Sequence, residues 1–250
     1  GSTKNLTIDG ASVVGKSLVY NEGTFVTNSN VIIQNANAGS TNGGVVYNKG
    51  EIATTTLNGS TMTGNKAAKG AVVFCYSGTV TINGGIYSGN IATSNGGVIF
   101  IDNGTNNKSE TRIVNINGGR FESNEAGATG GILAGNAKKV DIIGGTFYKN
   151  KAVGGGAVIN VAGTCVAQIS NVTMTENEVI NSGTYNGTIF ISNGGSLTLE
   201  NCTIVNNIGY AASTANPSCD IRVGGTADLY LKNNVNLGVV SRTSANSTIN

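Results

Sequence analysis

Five aspartates, Asp9, Asp102, Asp141, Asp220 and Asp228, are the natural starting point for chemistry in a 250-residue chain that has no histidine. Cleavage of a glycosidic bond takes two carboxylates roughly 5 to 10 Å apart, one of them held protonated. A calcium-assisted lyase needs an acidic cluster and a basic Lys or Arg. Lys139 lies two residues before Asp141, and Arg120 two residues before Glu122, beside Phe121. Each pair is plausible as a catalytic couple and more simply read as a solvated ion pair. Without histidine, the commonest general base and the usual Ser and Cys triads are missing. The four cysteines, Cys75, Cys165, Cys202 and Cys219, show no CxxC spacing and no histidine partner, which argues against zinc. Cys202 and Cys219 could pair, or all four could be free buried thiols.

Residues that could position a site come from a repeat. A hydrophobic residue stands three before an asparagine in Ile32…Asn35, Met62…Asn65, Tyr87…Asn90, Phe121…Asn124, Phe147…Asn150, Met174…Asn177 and Ile204…Asn207. The asparagines are 30, 25, 34, 26, 27 and 30 residues apart. In phase with them run Gly43-Gly44, Lys69-Gly70, Gly96-Gly97, Gly130-Gly131, Gly155-Gly156 and a weaker Asn186-Gly187. Each is followed by an apolar burst such as VVY, AVVF or VIF. Between the landmarks, Val80/Ile82, Val114/Ile116, Val140/Ile142, Ala167/Ile169 and Leu197/Leu199 alternate with Thr81, Asn115, Asp141, Gln168 and Thr198. Period-two alternation describes a strand with one face buried and one solvated.

Each unit therefore reads as three short strands, and units of this length predict a parallel β-helix of about eight to nine coils. In it Asn65, Asn90, Asn124, Asn150, Asn177 and Asn207 form a structural ladder, and Phe121 and Phe147 fill the lumen. Asparagine suits a corner by tolerating left-handed backbone and bonding neighbouring amides. Glycine suits the other corner, where a side chain would clash. The apolar bursts do not reveal which of their residues point inward. Gly1-Ser2 reads as a cloning remnant and residues 3–250 as one domain, with 3–42 and 208–250 as less regular terminal coils.

Composition agrees. The chain has 38 Gly, one Pro and 11% charged residues, with hydrophobic residues at 39% and a net charge of +2. Val, Ile, Thr, Asn and Gly favour strands and turns over helices, and this apolar content argues against disorder. No basic stripe suggests nucleic acid, and no apolar run approaches the roughly 20 residues of a membrane span. The glycine pairs lack the aspartate of calcium-binding β-helix repeats, and the threonines are too sporadic for an ice-binding face. No cofactor is expected.

The landmarks resemble the GGA[ILV] and FxxN repeats of chlamydial polymorphic membrane proteins and related bacterial or archaeal adhesin-like proteins. Strict matches are Gly155-Gly156-Ala157-Val158, Phe121…Asn124 and Phe147…Asn150; Tyr87…Asn90 and Gly70-Ala71-Val72 are near ones. The resemblance covers residues 43 to 207 and implies a right-handed β-helix displayed at a bacterial surface and used for adhesion. That family's carboxy-terminal β-barrel has no counterpart here, so secretion by autotransport is not expected. The motifs speak for the fold more than for the activity.

Function is then expected on interruptions of the repeat, at 102–111, 178–186 and 208–220. They supply Asp102, Asn106, Lys108, Tyr185, Asn186 and Tyr210 as binding candidates, the tyrosines by stacking on a sugar or anchoring a protein contact. The expected activity is attachment of a monomeric extracellular segment to a host or microbial surface glycan or protein. The alternatives are a carbohydrate-active β-helix using the outward Lys139/Asp141 column, and a structural spacer.

Overall fold

The computed structural model describes residues 4–11, 14–102, 112–181, 187–209, 220–242 and 246–250. They form an all-β right-handed parallel β-helix without helices. A typical coil begins on a nine-stranded sheet with a burst such as Ile99–Ile101. It then crosses a sixteen-stranded sheet in two steps, as in Ile113–Ile116 and Arg120–Glu122. After the asparagine corner comes a further two-residue strand, Glu125–Ala126 in this coil, which belongs to a separate five-stranded sheet. That short strand adds a fourth element to the three read from the sequence. In two coils the crossing strands fuse, as Lys139–Tyr148 and Val166–Thr175, and Gly144-Gly145 lies within the first of these.

The alternating segments stack in the expected register: Thr81, Asn115, Asp141, Gln168 and Thr198 occupy one outward column. Their neighbours Val80, Val114, Val140, Ala167 and Leu197 are buried in the lumen. The solenoid amounts to about seven turns, slightly fewer than the eight to nine expected. The terminal coils counted from sequence are incomplete, starting at Leu6–Asp9 and finishing at Thr248–Ile249.

Met62, Tyr87, Phe121, Phe147, Met174 and Ile204 form one lumen column. The Tyr87, Phe121 and Phe147 rings stack at 4.8 Å steps, with interplanar angles of 12° and 6°. This spacing is the strand-to-strand distance, so ring stacking and main-chain pairing reinforce each other. In the first coil the pairing is Ile33↔Met62, which places Ala36 and not Asn35 at the ladder position. The Ile32…Asn35 alignment is thus one residue out of register.

The ladder itself is continuous. The Oδ1 atoms of Asn90, Asn124, Asn150, Asn177 and Asn207 each accept two bonds from the preceding asparagine, one from its main-chain N–H and one from its Nδ2. Each Nδ2 also donates to a main-chain carbonyl, as Asn124 does to Tyr87 at 2.8 Å. The left-handed residue at this corner is the one before the ladder position, which is Ala36 in the first coil and asparagine in the others: Asn35, Gly64, Gly89, Ser123, Lys149, Glu176 and Asn206 all have φ between 54° and 64°. The asparagines therefore serve as hydrogen-bonding posts, and backbone tolerance is demanded of their neighbours.

At the opposite corner the positive-φ residue is Gly43, Gly70, Gly96, Gly130 and Gly156. This sets the register on Gly156-Ala157, one residue later than the Gly155-Gly156 pairing. At Gly130 a Cβ would run into the carbonyl oxygen of Leu133, so the position excludes side chains on two counts.

Candidate functional site

The direction of the apolar bursts decides where an exposed site can lie. In Val46–Asn48, Val46 and Asn48 are buried and Tyr47 is half-buried, so the middle residue faces outward. The same pairing register places Tyr20, Tyr47, Phe74, Phe100 and Ala134 in one outward column. Their rings stack in sequence with centroid distances of 5.4, 4.8 and 5.6 Å. Phe74, Phe100 and Ala134 form a small apolar cluster separate from the lumen, with Tyr47 and Tyr76 against it. Phe74 and Phe100 are 3% and 2% exposed, whereas Tyr20 is 57% exposed, so the column is closed at one end and open at the other.

Charged and polar groups flank the column along its length. Lys49 Nζ sits 5.4 Å from the Tyr20 ring centroid, and Lys69 Nζ 4.9 Å from that of Phe100. A hydrogen bond with Tyr20 raises the Lys49 pKa above its ordinary value. Burial, followed by the nearby Asp102 and Tyr20, raises that of the Tyr47 phenol. Beside the two tyrosines runs a groove of about 300 Å³ lined also by Gly15, Lys16, Ser17, Thr41 and Asn42. Ser17 Oγ donates to the Asn42 carbonyl at 2.9 Å and Thr41 Oγ1 to that of Ala38 at 2.8 Å.

Of the residues named from sequence, Asp102 is half-buried at the edge of this face, its N–H bonded to the Cys75 carbonyl at 2.9 Å. Asn106, Lys108, Tyr185, Asn186 and Tyr210 lie outside the described residues, as does Cys219. Cys202 is free and buried, its thiol donating to the carbonyls of Glu200 at 3.2 Å and Ile169 at 3.4 Å. The Tyr20–Tyr47 pair was not among the sequence candidates. Its signal was present in the matching positions of LVY, VVY, AVVF and VIF, but an aromatic in an apolar burst also looks like lumen.

No family model, curated protein or solved structure matches this chain.

Two other outward grooves carry charge. Lys149, Lys151, Glu176 and Glu178 line one of about 440 Å³, with Lys151 Nζ 2.8 Å from Glu178 Oε2 and Lys149 Nζ 3.8 Å from Glu176 Oε2. Each pair bridges two adjacent coils, and Glu125 borders the same groove beside Lys151, so carboxylates outnumber the lysines there. The second, of about 210 Å³, contains Asp141, Gln168, Glu200 and Lys232. Lys139 Nζ contacts Asp141 Oδ2 at 2.6 Å, and Arg120 contacts Glu122 at 2.7 Å; both pairs form as read from sequence. The stacking neighbours of Asp141 are Asn115 and Gln168, so no acid adjoins it in its column. Among the described residues no group of three or more Cys, Asp or Glu is arranged to hold a metal ion.

Proposed function

We propose that this chain is an attachment segment of a bacterial surface protein, binding a host or microbial surface molecule through the outer face of its solenoid. The observation that carries this reading is the open end of the Tyr20–Tyr47 column. Two stacked aromatic rings stand outside the lumen, where coil stacking alone does not require them. Exposed, rigid aromatic surface flanked by polar groups is costly to hydrate and typical of binding surfaces. The Asn-, Thr- and Ser-rich composition and the adhesin-like repeats support display outside the cell. Among the described residues no helix is long and apolar enough to cross a membrane. Binding of the whole chain to immobilised glycans and surface proteins tests the reading; absence of binding to either leaves a spacer.

One observation favours a second reading, a carbohydrate-active solenoid. Asp141 Oδ1 is buried without a partner and borders the groove shared with Glu200 and Lys232. An enzyme would release sugar fragments from acidic polysaccharides and lose that activity in Asp141→Asn. No release from a broad polysaccharide panel removes this alternative.

A further inference from the structure

We propose that the groove beside Tyr20 and Tyr47 binds a glycan that carries a carboxylate, as uronic and sialic acids do. This rests on the attachment reading and specifies its ligand. The groove offers two kinds of surface side by side. The tyrosine rings provide apolar area suited to the C–H face of a pyranose. The opposite side is made of short polar side chains, two of which have already spent their donors. Ser17 donates to the Asn42 carbonyl and Thr41 to the Ala38 carbonyl, so both hydroxyls present lone pairs to the groove. Sugar hydroxyls donate to such acceptors, whereas an apolar peptide would leave them without partners.

The acidic group follows from the cations. Lys16 lines the groove, is exposed, and takes part in none of the ion pairs formed among the described residues. Lys49 lies on the other flank against Tyr20, with Glu22 and Tyr47 within its electrostatic reach. Glu22 partly offsets Lys49, and Asp102 acts on Tyr47, which leaves Lys16 as the uncompensated charge. A carboxylate seated there gains an ion pair flanked by low-dielectric aromatic surface, and its affinity should fall as salt rises.

The test is an array that displays glycans ending in uronic or sialic acids next to their neutral counterparts, probed with the full chain. Acidic glycans should bind more tightly. Tyr20→Ala should weaken all of them about tenfold, the loss expected for an aromatic stacking partner. Lys16→Gln should erase the preference for acidic over neutral glycans and the salt dependence with it. Circular dichroism and melting of both variants guard against misfolding, and Lys16 is an exposed side chain whose replacement leaves the fold unchanged. Glycan binding that is unaffected by both substitutions overturns this site while the attachment reading survives. Equal binding of acidic and neutral glycans overturns the carboxylate assignment. No binding to any glycan overturns this site, and the attachment reading falls with it only if immobilised surface proteins are not bound either.

Discussion

Asn124 Oδ1 accepts two hydrogen bonds from Asn90, from the main-chain N–H at 3.1 Å and from Nδ2 at 2.8 Å. Asn124 and Asn90 are both fully buried, so water cannot replace either bond. Asn124→Leu leaves the Asn90 N–H buried without an acceptor and inserts branched carbon beside it. The expected loss is about 3 kcal/mol or more, since each orphaned buried group costs about 1–3 kcal/mol. Urea unfolding of the variant measures it. An unchanged midpoint would show that the ladder is not a source of stability.

Much of this architecture was legible because each landmark recurs in phase with the others. The Asn65 to Asn207 ladder and the Phe121/Phe147 stack could be named from spacing alone. Two things could not. Ile32…Asn35 satisfies the FxxN pattern as well as its neighbours do, and only pairing of Ile33 with Met62 reveals that Ala36 fills the ladder position. A register shift of one residue leaves an apolar-rich pattern almost unchanged, so the sequence carries little information about it. Tyr20 and Tyr47 were hidden for a related reason. Their strands are apolar on both faces, and periodicity cannot then separate lumen from surface.

Two glycine substitutions should separate backbone strain from crowding. Gly89 has φ +60° and open space where a Cβ would stand, so Gly89→Ala meets the left-handed backbone penalty alone. That penalty is about 1–2 kcal/mol. Gly130 has φ +68°, and there a Cβ would also meet the Leu133 carbonyl and the Ala134 side chain. Gly130→Ala should cost several times more and lower the melting temperature visibly. Conversely Ser123, exposed at φ 54°, should become about 1 kcal/mol more stable as Ser123→Gly. Equal effects at Gly89 and Gly130 would contradict the crowding argument.

The asparagine ladder ends on a carboxylate. Asn207 Nδ2 donates to Asp220 Oδ1 at 2.7 Å, and the Val239 N–H donates to Asp220 Oδ2 at 3.0 Å. Asp220 thus takes the Nδ2 bond that a further ladder asparagine would accept, and links Asn207 to the last coil through Val239. In a solenoid each coil is held chiefly by its neighbours, so Asp220→Ala should loosen the C-terminal coils selectively. The expected loss is about 1–3 kcal/mol. Amide exchange at Val239 and Val240 should accelerate while Ile99 and Leu133 stay protected. Uniform acceleration would show that the cap acts on the whole solenoid.

Buried thiols give the stability a defined alkaline limit. Burial pushes Cys75 and Cys165 from 9.0 up to about 12, and it raises Cys202 as well. Burial also raises the phenol of Tyr87. At pH 8 these thiols are protonated and enclosed, so a thiol reagent should leave Cys75, Cys165 and Cys202 unmodified until the chain is unfolded. Peptide mapping distinguishes them from Cys219. The linkage has one sign: between pH 9 and 12 the unfolded chain has lost thiol protons that the native state keeps. Stability is therefore fully present below pH 9 and declines as pH rises, by about 1.4 kcal/mol per pH unit for each such thiol. The double variant Cys75→Ala/Cys165→Ala should be less stable at pH 7, because it loses buried volume. Its decline above pH 9 should nevertheless be shallower, with the remaining slope carried by Cys202, Tyr87 and the other groups held above their ordinary values, Tyr47 among them. Parallel pH profiles for the variant and the unmodified chain would mean that these two thiols ionise as easily in the solenoid as in the unfolded chain.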